Sequence, residues 1–125
     1  MAATLEEALR SLIKGVAPTY PIVAPQKQQP PFLIYQRISD SGFDDLQGAS
    51  QLETAIIQID AYAQSYADAK GLAKSVKAIL SGYSGVVDTV RIGACRKRTS
   101  RDLHTITDTK TEYRISTDYQ FIFEE

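Results

Sequence analysis

The chain has 125 residues, 43% of them hydrophobic, with 14 Lys and Arg against 15 Asp and Glu for a net charge of −1. That length gives one domain that buries roughly two thirds of its unfolded surface, and it is too short for two ordinary domains. The near-zero charge argues against bulk attraction to nucleic acid or anionic membrane; a single cysteine, Cys95, rules out an internal disulfide, and with the single His104 it falls short of a zinc ligand set.

The first element reads as a helix. Thr4 and Glu7 have the spacing of a capping box, and Leu5, Ala8, Leu9, Leu12 and Ile13 follow at helical intervals. Gly15 stops it and Pro18 prevents a restart. The opening residues lack the basic region and apolar run of a signal peptide, and no stretch approaches the ~20 apolar residues of a membrane span. The expectation is synthesis in a cytosol-like compartment, with no membrane partner.

Residues 16–31 contain all five prolines and form an extended connector, with room for a short edge strand near Ile22 and Val23. Phe32–Ile38 reads as a strand, and the polar, glycine-containing Ser39–Ser50 as a long loop. From Leu52 to Tyr62, Ala55, Ile57, Ile59 and Ala61 alternate with polar Thr54, Gln58 and Asp60, the period of a half-buried strand. Ser65 then caps a second helix, in which Tyr66, Ala69, Leu72, Ala73, Val76, Ile79 and Leu80 form one apolar stripe opposite Asp68, Lys70, Lys74 and Lys77. Gly82 ends it. A strand from Val86 to about Arg98, a polar linker Thr99–Lys110 and a last long strand Glu112–Glu124 complete the chain. The fold class is α+β, one domain over residues 1–125. An antiparallel or mixed sheet of about four strands carries two helices on one face. Gln58, Asp60, Tyr62, Arg114 and Asp118 fall on the other face.

A search for chemistry finds little. Gly82-Tyr83-Ser84-Gly85 lacks the length and the Lys-Ser/Thr of a phosphate loop and closes a helix instead of opening one. His104 sits in a polar stretch, where a catalytic base lacks rigid distant partners. Cys95, among small residues of a strand, reads as a buried inert thiol. Asp40, Asp44 and Asp45 lack the alternating ligands and terminal Glu of a calcium loop. The expectation is therefore no enzyme, cofactor or metal. Contact residues are better candidates: Asp40, Asp44 and Asp45 as an acidic set, Phe43 as an aromatic that tucks back or anchors a partner, and Arg96, Lys97, Arg98 and Arg101 as a basic set.

Several segments together resemble one known family. They are Leu5–Arg10; Ala24-Pro25-Gln26 ahead of Pro31–Ile38; Ile57–Ala63 running into Tyr66–Ala69; Val76–Leu80; and Tyr113–Tyr119. In this order they resemble the tail-completion proteins of long-tailed, non-contractile bacteriophages and prophages, which are related in role to phage tail terminators. The resemblance implies a homo-oligomeric ring, usually six-fold, at the head-proximal end of the virion tail, made in the bacterial host cytoplasm. Its partners would be the tail tube protein and the head connector protein, with genome DNA passing through the lumen without sequence-specific binding. It implies no catalytic residues and no cofactor. The acidic and basic sets then become candidate subunit or tube contacts. Two alternatives stand beside it: another head–tail connector (neck) subunit, and a small nucleic-acid-binding module with exposed aromatics on the open sheet face.

Overall fold

The computed structural model describes residues 4–25, 28–45, 48–106 and 111–125, with the side chains of these ranges outside 41–51 and 105–111. The chain order is α1 (Leu5–Ile13), β1 (Thr19–Pro21), β2 (Phe32–Asp45), β3 (Gly48–Ala63), α2 (Tyr66–Leu80), β4 (Gly85–Val87), β5 (Val90–Ile106) and β6 (Thr111–Glu124). The strands form one sheet in the order β1-β2-β3-β6-β5-β4. β1 lies parallel to β2 and every other pair is antiparallel. The α+β class and the two helices on one face hold. The count of about four strands does not: six are described, because two three-residue strands flank the four long ones.

α1 begins as its capping box predicts. Thr4 Oγ1 accepts from the Glu7 N–H at 3.3 Å, and Glu7 Oε1 accepts from the Thr4 N–H at 3.4 Å. The helix buries Leu5, Ala8, Leu9 and Ile13 completely. α2 starts at Ser65, whose Oγ accepts from the Asp68 N–H at 3.1 Å, and ends before Gly82, which takes φ +81°. A left-handed residue there suits glycine, since a Cβ would meet the adjacent carbonyl. The α2 stripe buries Ala69, Val76 and Leu80, with Leu72, Ala73 and Ile79 partly covered. Tyr66 does not belong to it. Its ring is exposed over the helix start, edge-on to Tyr113, with its hydroxyl donating to Asp102 Oδ2 at 2.7 Å.

The core lies between the helices and one sheet face. Leu33 and Tyr35 of β2, Ala55, Ile57, Ile59 and Ala61 of β3, Tyr119, Phe121 and Phe123 of β6, and Val90, Ile92 and Cys95 of β5 point into it. Their alternation is what the pleat demands of a sheet covered on one side. Cys95 is buried, and burial pushes its thiol up to about 12.

Three expectations are corrected. Residues 39–45 and 48–50 are not loop: β2 runs on to Asp45 and β3 starts at Gly48, so the paired strands form an arm that continues past Glu53, where pairing with β6 begins, and residues 46 and 47 lie outside the described residues. Residues 99–106 are not a linker, because β5 continues to Ile106 against β6; the rest of the expected linker, 107–110, lies outside the described residues. The strand from Val86 to Arg98 is two strands, turned at Asp88 and Thr89, whose φ values are +49° and +74°. Two consecutive positive φ angles match a tight hairpin turn, and the Asp-Thr pair lacks the glycine that usually announces one. The early edge strand forms at Thr19–Pro21, ahead of Ile22 and Val23.

Candidate functional site

The sheet ends laterally in two short strands, and each leaves most of its neighbour bare. β1 pairs only with Leu33–Tyr35 of β2, and the Ile22 N–H adds a bond to the Tyr35 carbonyl at 2.9 Å. From Gln36 to Asp45 the outer edge of β2 has no strand partner among the described residues. β4 pairs only with Val90–Ile92 of β5, and the Gly82 N–H reaches the Cys95 carbonyl at 2.8 Å. Beyond Cys95 the outer edge of β5 is likewise without a strand partner among the described residues. Unpaired strand edges are templates for another chain unless shielded.

The β5 flank is basic. Arg96 and Arg98 share the face away from the helices, and their guanidinium groups both donate to Gln120 Oε1, at 3.2 Å from Arg96 Nη2 and 3.2 Å from Arg98 Nη1. Lys97 points to the helix side. There it joins Lys70, Lys74 and Lys77 of α2 around a cavity of about 290 Å³, also lined by Ile115 and Tyr119. Lys70 Nζ donates to Asp102 Oδ1 at 2.8 Å, and the hydrogen bonds from Lys70 and Tyr66 hold the Asp102 carboxyl below its usual range. Lys74, Lys77 and Lys97 make no ion pair with the described residues. Arg101 Nη2 lies 3.5 Å from Asp118 Oδ1.

The β2 flank is acidic around one cation. Arg37 contacts Glu6 of α1, Asp40 at 3.3 Å and Glu125 at 3.2 Å, and its guanidinium lies 5.4 Å from the Phe123 ring centroid. Burial works against its charge, and the bonds from Glu6, Glu125 and Asp40 outweigh it, so its pKa is raised. Three carboxylates to one guanidinium leave this corner net negative. Asp40 therefore sits on the flank opposite the basic set and, among the described residues, makes no ion pair with it. Phe43, Asp44 and Asp45 belong by register to the outer part of the β2–β3 arm, and their side chains lie outside the described residues.

Exposed apolar side chains collect on the same flanks. Among the described residues, Ile22 and Val23 beside β1, Ile38 on the bare stretch of β2 and Val86 in β4 are four of the six large exposed hydrophobic residues, at 70%, 70%, 46% and 66% exposure. Ile22 also holds φ +65°, a strained setting for a β-branched residue.

The open sheet face is a polar network and not an aromatic platform. Phe32 is buried and stacks on Tyr62 at 4.7 Å, and Arg114 Nη1 donates to the Tyr62 hydroxyl at 3.2 Å. Gln58 Nε2 donates to Asp60 Oδ1 at 3.0 Å and to Ser116 Oγ at 2.8 Å. Asp60 and Ser116 are buried here, so this part of the face is not freely solvated. Base stacking would need exposed rings beside free cations, so this face does not favour the nucleic-acid reading. His104 is exposed on β5 instead of in a loop. Among the described residues no group of three or more His, Cys, Asp or Glu is placed to hold a metal ion, and no helix is long and apolar enough to cross a membrane.

Sequence reasoning reached the basic run through its charges. It anticipated a short edge strand near Ile22 and Val23 but missed β4 as a separate strand, the α2 lysines around Lys97, and Arg37 as a hub. The i, i+4, i+7 spacing of Lys70, Lys74 and Lys77 was the available signal for the second of these.

The fold is thus a two-helix α+β domain with oppositely charged, open-edged flanks. One of the solved structures with the same fold is a chain of the virion of a native gene transfer agent particle, with a TM-score of 0.69 at 17% identity over 97% of this chain and 95% of that one. At that identity the likeness is one of fold. No curated protein matches the sequence. The family model described as Tail completion protein gp17 matches residues 2–124, and the chain belongs to that family. It is thus a structural protein of a phage tail, located in the virion.

Proposed function

We propose that this chain is the repeating subunit of a ring, six-fold as the family resemblance implies, at the head-proximal end of the tail. The ring stops growth of the tail tube and joins it to the head connector, and the genome passes through its lumen. The match of residues 2–124 to the tail-completion family carries this reading. The two unlike flanks support it, because a head-to-tail contact that closes by rotation requires two different surfaces on one subunit. The acidic set (Asp40, Asp44, Asp45), Phe43 and the basic set (Arg96, Lys97, Arg98, Arg101) are the proposed contact residues, and no catalytic step or cofactor enters.

Deletion of the gene followed by electron microscopy of the lysate tests the reading. Overlong tails, unattached to filled heads, are the expected result. Tails of normal length lying free beside heads would move the assignment to a neck subunit. Normal, joined particles would overturn both.

A further inference from the structure

The two short edge strands lie at opposite heights. Following the register across the sheet, Pro21 of β1 pairs with Tyr35, Tyr35 with Ile59, Ile59 with Thr117, and Thr117 with Ser100. β1 is therefore level with the bare part of β5. In the same way Gly85 of β4 pairs with Ile92, Ile92 with Phe123, Phe123 with Glu53, and Glu53 with Gly42. β4 is therefore level with the bare part of β2. Set side by side, two copies would present short strands that occupy different halves of one gap.

We propose that consecutive copies join edge to edge into one continuous sheet, β4 of one copy adding to the bare β2 of the next while β1 of that next copy adds to the bare β5 of the first. The inference rests on the ring reading and specifies its contact. Strand direction is consistent with it. β1 runs parallel to β2 and β5 runs opposite to β2, so β1 meets the neighbouring β5 antiparallel, the stronger pairing. β4 meets the neighbouring β2 parallel. The joint satisfies two rows of open backbone groups, which a free subunit leaves to water.

Side chains point to the same occupant. Charged side chains commonly shield sheet edges against such pairing, and a monomer would use Arg96, Lys97 and Arg98 in that way. Shielding does not account for Ile22, Val23, Ile38 and Val86, exposed on those edges. In the joint, Val86 is carried to the arm near Gly42, and Ile22 to the stretch near Arg98. The flanks brought together are the basic one, with Lys74, Lys77 and Lys97 unpaired among the described residues, and the acidic one around Glu6, Asp40 and Glu125. Opposite charges steer the approach and set its polarity.

Cysteine pairs across the two halves of the gap test this in assembled particles. Val86→Cys is combined with Gly42→Cys or, separately, Asp44→Cys; Ile22→Cys is combined with Arg98→Cys. A disulfide requires Cα atoms within about 7 Å. Buried Cys95 supplies the control, since particles carrying only that thiol should give no cross-link. The expected result is an oxidation-dependent ladder of multimers from the Val86 set and from the Ile22 pair. Rings visible by electron microscopy with no ladder, or a ladder from one set alone, overturn the shared gap and leave the ring reading intact. No ring on tails that carry the control protein overturns both. Val86→Glu gives a second readout: incorporation into particles should be lost while the thermal midpoint of the purified protein is unchanged, and undiminished incorporation overturns the joint.

Discussion

Replacing Arg37 should loosen α1 and the C-terminus together, because this one side chain ties both to β2. Its guanidinium contacts Glu6, Asp40 and Glu125, and Glu125 Oε1 also accepts from the Leu5 N–H at 3.1 Å. The carboxylates are partly exposed, so each pair is discounted to about 0.2–1 kcal/mol. The contact with the Phe123 ring adds about 0.5–1 kcal/mol, and the buried aliphatic stem about 1 kcal/mol. Against these stands the buried Nε, which has no hydrogen-bond partner among the described residues; its removal returns about 1 kcal/mol. Arg37→Ala should then destabilise by about 2 kcal/mol, a drop in melting temperature of roughly 6–8 °C for a domain of this size. Arg37→Met keeps the stem and should lose about 1 kcal/mol. Urea unfolding measures both, and a double-mutant cycle with Glu6→Gln should show a coupling of roughly 0.5 kcal/mol or more. If Arg37→Ala and Arg37→Met lie within about 0.5 kcal/mol of the parent, the hub has no energetic meaning and the reasoning fails.

Two further perturbations follow from local geometry. Gly82→Ala meets no atom within 4 Å beyond its own backbone and chain neighbours but must hold φ +81°, so it should cost about 1–2 kcal/mol through strain alone, read as a shift in the urea midpoint with an unchanged slope. Cys95 should resist alkylation at pH 8 in the folded protein and react at once in denaturant. Its pKa rises on folding from 9.0 to about 12, so its contribution to stability is complete below pH 9 and is lost as the pH climbs towards 12. Rapid labelling of the native protein would contradict its burial.

The parts of the fold legible in the sequence are those where a local chemical rule has no competitor. Thr4 with Glu7, Ser65 ahead of α2 and the left-handed Gly82 set helix ends by their own hydrogen bonds and backbone freedom. The alternation in β3 and β6 survives because one face is buried against the helices. The extensions of β2, β3 and β5 were hidden for the opposite reason. In 41–45, 48–51 and 99–106 the ladder propagates from paired strands, while the mostly polar composition of these segments alone reads as loop. Tyr66 has helical spacing with the α2 stripe, yet its hydroxyl finds Asp102 and its ring stays outside. Of the candidate contacts, charge runs were visible, while their placement on opposite flanks depends on strand order, which no single segment encodes.

A net charge of −1 conceals that placement. A two-fold dimer would set like flank against like, Arg96–Arg98 facing Arg96–Arg98, whereas a head-to-tail contact sets basic against acidic. Under the proposed ring, charge segregation across a neutral domain would favour the head-to-tail contact over a two-fold one. The consequence is a salt dependence confined to one step. These charges are exposed, and the screening length shrinks from about 10 Å at 0.1 M to about 3 Å at 1 M. The rate at which purified subunits close tail tubes should therefore fall several-fold as salt is raised through this range, since steering acts on encounter. Completed rings, if held as proposed by strand pairing and by Ile22, Ile38 and Val86, should persist over the same range. Time-resolved counting of closed tubes by electron microscopy measures the first, and sedimentation of finished tails the second. A closing rate indifferent to salt would show that the segregated charges do not guide assembly.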